Sequence, residues 1–398
     1  MMENPTAVPQ CQAWSEIVPG GYDEEAAREA AVRARTHLGG HADVIFLFVS
    51  CDFARSLTDL VELVQIHAHC PRVVGCSAGG IVGSNREEED AAGFSMLALR
   101  LGGAELCVLP MPADTAGSEW SQARRWTQDG GTGWIVLGNP ANLGEEWLEE
   151  WNSVAAGKAI YGGLASGTHR AEDLFVFTEK GVHENAAAVV VGFRGSVEIS
   201  GLVSQGCRPI GEPLTVTKAD HHIIHQLASR TAYEQLQSAF RSLPEKLRDM
   251  AQGNILVGLA MSEYVEDFHT GDFLVRPILG RDPTNGALAV GAHPRVGQTL
   301  QFQLRDRDAA DAELRGMLER KQAELGRAPV AALLFTCGGR GQRMFGVPNH
   351  DAGLIESVFE ALPLAGFFCN GEIGSVGPRA YLHGFTASSA FLVEKPQA

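Results

Sequence analysis

The chain has 398 residues, 46 of them glycine and 18 proline, and a formal net charge of −16 from 32 Lys and Arg against 48 Asp and Glu. At about 150 residues per domain this gives two or three domains, each able to bury a core; with 45% hydrophobic residues and no Gly-X-Y period, collagen, low-complexity polymer and disorder are excluded. The acidic balance argues against a general binder of nucleic acid or anionic membrane, since either needs a basic surface.

Residues 1–20 contain three prolines and no periodic pattern, and read as a tail with no basic, apolar character of a secretory signal. Alanines at three- and four-residue spacing predict a helix over Asp23–Leu38, with Asp23 as N-cap and Gly39-Gly40 as the stop. The apolar run Val44–Val49 predicts a buried strand, Ser56–His69 a helix, and Arg72–Cys76 a second strand. Gly93–Leu101 and Ala104–Leu109 read as antiparallel strands. The grammar recurs at Trp134–Leu137 (strand), Glu145–Ala156 (helix) and Ala159–Gly162 (strand). Strands are predicted at Leu174–Thr178, Ala187–Phe193 and Ser196–Val203, and a long helix over Asp220–Phe240. Strands at Ile255–Met261, Phe273–Ile278, Ala287–Val290 and Thr299–Arg305 precede a helix over Asp308–Leu325, with Asp306 or Asp308 placed to cap it. A third strand, helix and strand follow at Ala331–Thr336, Asp351–Ala361 and Leu364–Cys369, and Gly384–Val393 closes the chain. The fold class is α/β (α+β): two modules of mixed sheets with helices on their outer faces, built from repeated β-α-β-β units over 21–211 and 212–398.

No apolar run approaches the ~18–20 residues of a membrane span. Eight cysteines without a C-x-x-C pair fit free thiols in a reducing cytoplasm, and predict neither a disulfide framework nor a zinc site. His221 and His225, four apart on the predicted helix beside Asp220 and His222, have metal-like spacing, but Ile223, Ile224 and Leu227 give the same segment an ordinary amphipathic reading.

Three times a strand and helix lead to a second strand that ends in glycines at fixed register. Gly75-Cys76-Ser77-Ala78-Gly79-Gly80-Ile81-Val82-Gly83 and Gly366-Phe367-Phe368-Cys369-Asn370-Gly371-Glu372-Ile373-Gly374 share glycines at positions 1, 6 and 9, and Gly162-Gly163-Leu164-Ala165-Ser166-Gly167 keeps the first two. Glycine permits close approach of a backbone or a ligand, so these turns are candidate pocket walls as well as tight structural turns. They contain no nucleotide fingerprint.

These segments, with SQGCRPIG (204–211), FLVRPILG (273–280), FTCGGRGQRMFG (335–346) and YLHGFT (381–386), resemble the FIST family, in which a FIST_N module precedes a FIST_C module; the resemblance runs from about residue 22 to 393. It implies an intracellular small-ligand sensor in signal transduction, with an amino acid as the usual ligand. Some relatives carry attached output domains, so the expectation here is a separate partner such as a kinase or cyclase. Other relatives bind haem as nitric oxide sensors, which makes haem the alternative cofactor; otherwise none is expected. The family turn commonly has a glutamate where this chain has Ile81, while the C-terminal copy keeps Glu372.

Residue by residue, Arg340 offers a planar fork for a ligand carboxylate, Glu372 an acceptor for an ammonium, and His383 a donor or acceptor. Arg340 and Glu372 would equally form an ion pair between neighbouring loops. The expected site comprises these three with Gly75, Cys76, Ser77, Gly163, Ser166, Cys337, Gly339, Asn370 and Gly371, and with Arg208 and Arg276 as outlying candidates. Cys76, Cys337 and Cys369 lie in or beside the turns, yet no Cys–His–Asn/Asp spacing marks a nucleophile. The expectation is a non-enzymatic sensor, with a cysteine-dependent enzyme or a protein-interaction scaffold as the other readings.

Overall fold

The computed structural model describes residues 10–265, 267–269 and 271–395. They form two compact units that interleave along the sequence. One takes the described residues up to Val203, Gly316–Leu382 and those from Thr386 onward; the other takes Ser204–Arg315 and His383–Phe385. The α+β expectation is met by several mixed sheets with helices packed on them.

The first unit contains one strand–helix–strand motif three times. Val44–Ser50 pairs in parallel with Val73–Ala78 across the helix Leu57–Ala68. Gly131–Gly138 pairs likewise with Ala159–Leu164 across Glu145–Ala155, and Ala331–Cys337 with Leu364–Cys369 across His350–Phe359. The register is the same in all three, placing Leu47 opposite Gly75, Val136 opposite Gly162 and Leu334 opposite Gly366.

After its glycine turn each copy gives its next strand to another copy's sheet. Gly80–Gly83 of the first copy pairs antiparallel with Leu364–Cys369 of the third. Glu372–Val376 of the third pairs with Ala159–Leu164 of the second. Val176–Thr178, following the second, pairs with Val73–Ala78 of the first. The exchange is cyclic, and it leaves three six-stranded sheets of one topology. They run Gln12–Pro19, Gly93–Arg100, Val44–Ser50, Val73–Ala78, Val176–Thr178, Gly181–Val182; then Glu105–Pro112, Ala186–Arg194, Gly131–Gly138, Ala159–Leu164, Glu372–Val376, Arg379–His383; then Val197–Ser204, Ala387–Glu394, Ala331–Cys337, Leu364–Cys369, Gly80–Gly83, Arg86–Glu89.

Side-chain alternation explains the uninterrupted apolar strands. Val44, Phe46 and Phe48 point to a core shared with Ile135, Leu137, Phe335 and Phe367, while Ile45, Leu47 and Val49 point to a second core under Ala27, Ala30, Leu60 and Val64 of two helices. Phe48 stacks on Phe367 at 4.9 Å, tying the first sheet to the third. On the second sheet, Trp134 meets Trp151 at 5.1 Å and Trp120 meets Trp147 at 5.3 Å under the helices Ser118–Gln128 and Glu145–Ala155. Such pairs add about 0.5–1.5 kcal/mol each beyond the area they bury. Asp23 caps its helix as expected, Oδ1 accepting from the Ala26 N–H at 2.8 Å.

In the second unit all strands pair antiparallel, in the order Cys207–Asp220, Thr299–Arg305, Ile255–Ala260, Phe273–Arg281, Leu288–Val290, Ile223–Leu227, Arg230–Thr231. A further pairing of Cys207–Asp220 with Ile223–Leu227 closes a ring of six strands, and Arg230–Thr231 remains as a short edge on Ile223–Leu227. Its core holds Ile210, Val216, Ile224, Leu227, Val257, Leu288 and Phe302, and Asp306 caps the following helix by accepting from the Asp308 and Ala309 N–H groups.

Two sequence expectations are corrected. Gln12–Pro19 is an edge strand paired with Gly93–Arg100 and not part of a tail; residues 1–9 lie outside the described residues. The helix expected over Asp220–Phe240 begins only at Ala232. Ahead of it, His221 adopts a left-handed conformation (φ 47°) and turns the chain from Cys207–Asp220 into Ile223–Leu227, so Ile224 and Leu227 face the barrel core. Their three-residue spacing mimics a helix. The true start is the Thr231–Glu234 capping box. The 211/212 division falls inside the strand Cys207–Asp220.

Candidate functional site

The first glycine of each turn is fixed by packing. A Cβ at Gly75, Gly162 or Gly366 would come within 3.0 Å of the carbonyl oxygen of Leu47, Val136 or Leu334 on the parallel neighbour, a separation that real Cβ atoms do not show. These glycines therefore build the sheets and offer nothing to a ligand. Gly163 is similar: its missing side chain makes room for the Cys369 thiol.

Further along, the turns of the three copies meet. The Ser166 hydroxyl of the second copy accepts from the Gly79 N–H of the first at 2.8 Å and donates to the Phe368 carbonyl of the third. The Ser166 N–H donates to the Ser77 carbonyl at 3.0 Å. Leu164 and the third turn exchange two bonds, Leu164 N–H to Gly371 O at 2.8 Å and Asn370 N–H to Leu164 O at 3.2 Å. Gly167 takes φ +118°, where a Cβ would strike the Cys51 thiol and the Ala78 carbonyl. One serine thus joins all three copies.

This junction floors a cleft of about 820 Å³. Its wall is formed by Gly79, Ser166, Gly167, Gly338, Phe368, Cys369 and Asn370 from the turns, and by Glu89, Asp90, Thr168, His169, Gln342 and Arg343 around them. The lining is mainly polar and carries both charges. Glu89 Oε1 accepts from the Gln342 N–H at 2.7 Å, which anchors the exchanged hairpin of the first copy to the third.

Of the residues expected at the site, Ser166 and Asn370 line this cleft. Gly75, Cys76, Ser77 and Gly163 lie inside the sheets; the Ser77 hydroxyl accepts from the Phe175 N–H at 3.2 Å, and burial pushes the Cys76 and Cys369 thiols well above their ordinary range. Cys337 is half-buried and accepts from the Gly339 N–H. Arg340 is fully buried and its fork closes on Asp351, Nε to Oδ2 at 2.7 Å and Nη2 to Oδ1 at 2.9 Å, with Thr336 Oγ1 and His350 Nδ1 on the same carboxylate. Burial raises the Asp351 carboxyl, but the Arg340 charge and these hydrogen bonds outweigh it and hold it well below the usual carboxylate range. The ion pair anticipated between Arg340 and Glu372 is therefore made with Asp351.

Glu372 is fully buried, and burial pushes its carboxyl up to about 8 against the lowering hydrogen bonds from the Thr386 hydroxyl and N–H. At neutral pH it holds its proton. His383 is buried and belongs to the second unit, as do Arg208, which pairs with Asp306 at 2.7 Å, and Arg276, whose Nη1 donates to the Val275 carbonyl. His221 sits exposed at a hairpin turn, not on a helix face shared with His225. No group of three or more metal-ligating side chains occurs among the described residues, and none of their helices is long and apolar enough to cross a membrane.

Glu89, Asp90, Thr168, His169, Gln342, Arg343 and Phe368 were not anticipated. The acidic run Glu87–Asp90 directly after the first glycine turn is the one local signal that could have found two of them. The second unit carries its own groove of about 490 Å³, lined mainly by Tyr233, Leu236, Phe240, Ile255 and Ile278 and far more apolar.

Compared with known proteins, residues 43–230 match the FIST N domain and residues 231–375 the FIST C domain. An uncharacterised protein of Mycobacterium tuberculosis is 38% identical over 371 residues, covering 93% of this chain and 96% of that protein. An uncharacterised protein of Mycobacterium bovis is 36% identical over 373 residues, with 93% and 96% covered.

Proposed function

The chain belongs to the FIST family, and on that premise we propose that it is a cytoplasmic small-ligand-binding sensor, its ligand an amino acid or small carboxylate and its output a separate partner such as a kinase or cyclase. FIST domains are associated with sensing and signal transduction. The observation that carries the reading is the junction at Ser166, where three copies of one turn converge on a polar cleft of about 820 Å³, a size suited to a small molecule. A ligand seated there touches all three copies at once, so its binding energy can bias their arrangement by as much as it differs between states. Burial of the Cys76 and Cys369 thiols, raised well above neutrality, supports binding over cysteine catalysis.

Thermal-shift screening against amino acids and small carboxylates at millimolar concentration tests this. A ligand at 100 times its Kd adds about 2.7 kcal/mol, a shift of a few degrees in a chain of this size. No stabilisation by any member of the panel contradicts the proposal.

A further inference from the structure

Resting on the reading of the cleft as the ligand site, we propose that it selects small cations, ammonium or guanidinium compounds of net positive charge such as basic amino acids and short diamines. The wall presents two carboxylates, Glu89 and Asp90, against the single guanidinium of Arg343, with His169 beside them. Glu89 spends one oxygen on the Gln342 N–H, whereas Asp90 stands exposed. The Cys51 thiol, which packs against Gly167, is raised chiefly by burial, against a lowering hydrogen bond from Ser77 and with smaller contributions from the Asp52 and Asp173 charges.

The apolar part of the wall suits the same ligands. Phe368 is 4% exposed and lines the cleft, and a Cβ on Gly80 would come within 3.0 Å of its ring. An aromatic ring flanked by carboxylates favours ammonium and guanidinium groups over anions.

Behind the wall a fourth feature breaks the threefold repetition. In the exchanged strands Val176 sits opposite Cys76 and Ile81 opposite Phe367, both apolar; the third carries Glu372 opposite Gly163. Glu372 Oε1 is buried with no hydrogen-bond partner, and its carboxyl acts on Cys369, which is part of the cleft wall. A zwitterion without a further charge leaves the carboxylate excess uncompensated, and an acidic ligand adds to it.

Isothermal titration of the full chain with L-arginine, L-lysine, putrescine, L-alanine and L-glutamate, at matched ionic strength, decides the matter. At least one of the three cations is expected to bind about tenfold or more tighter than alanine, and glutamate not at all. Asp90→Asn, at an exposed left-handed position that asparagine also accepts, should weaken cation binding about fivefold or more and leave the melting temperature unchanged. Asp311→Asn, removing a surface acid paired with Arg315 in the other unit, should change nothing. Equal losses in both variants mean non-specific attraction and overturn the proposal. Alanine or glutamate binding as well as the cations overturns cation selection but leaves the small-ligand reading intact. Silence from all five, together with an unresponsive thermal-shift panel, overturns both.

Discussion

The first and third copies of the repeated motif share strand order, register and the glycines that set it, yet their contents differ. In the first, the exchanged strand carries Ile81 into the common core, beside Phe48, Val74 and Cys76. The third carries Glu372 at the matching place, and next to it the buried Arg340–Asp351 pair with Thr336 and His350. The glycines and apolar runs specify the scaffold three times over; the buried Arg340, Asp351 and Glu372 belong to one copy. Where local rules are kept twice and broken once, the broken place is where function is expected.

The largest effect should fall on both copies alike. Gly75→Ala and Gly366→Ala each force a Cβ into a backbone carbonyl within a sheet, and each should destabilise by more than about 4 kcal/mol in urea unfolding or prevent folding. Gly21→Ala, with open space around it and no left-handed backbone, serves as the neutral control. Tolerance of alanine at Gly75 but not Gly366 would break the equivalence of the copies.

The next effect is confined to the third copy. Asp351→Asn leaves the Arg340 charge buried without its counterion, and about 3 kcal/mol or more of stability should be lost. The pH dependence separates Glu372 from Ile81. Its carboxyl is raised to about 8 in the fold against about 4.3 in an unfolded chain, so the folded state binds more protons between those values. The stability it contributes is complete below about pH 4 and is lost as pH rises through 8. Glu87, raised to about 7 by burial and by the Asp351 charge, has the same sign. Unfolding free energy should therefore fall from pH 5 to 9, and Glu372→Gln should remove a few kcal/mol of that fall; an unchanged slope would mean the carboxyl is not buried as described. The smallest effect is at the shared junction. Ser166→Ala leaves the Gly79 N–H without its acceptor, and should lower stability by about 1–2 kcal/mol while weakening any ligand that binds the cleft.

Much of this scaffold was legible in the sequence because strands buried on both faces write continuous apolar runs, as Val44–Val49 does, and because a glycine that must abut a carbonyl recurs in fixed register. Capping was legible too, at Asp23 and Asp306. The cleft was less so. Glu89 and Asp90 reach it only because Gly80–Gly83 leaves its own copy to pair with Leu364–Cys369, a contact of nearly 300 residues' separation that no local pattern encodes. Arg340 was singled out for its fork, but its partner Asp351 sits on a helix whose first turn gave no sign of facing inward. The Asp220–Phe240 segment failed for a third reason: Ile224 and Leu227 have a helical spacing, and they share one side of a strand only because its register shifts between them, after the turn at His221.

The central claim is that the junction of the three turns is where the ligand sits. A crystal structure of the chain with the most stabilising compound of the screening panel tests it most directly. The account predicts ordered ligand density in the cleft between Asn370, Phe368 and Asp90, with the Ser166 bonds to Gly79 and Phe368 in place. Density in the Tyr233–Phe240 groove instead, with the cleft unchanged, would contradict it.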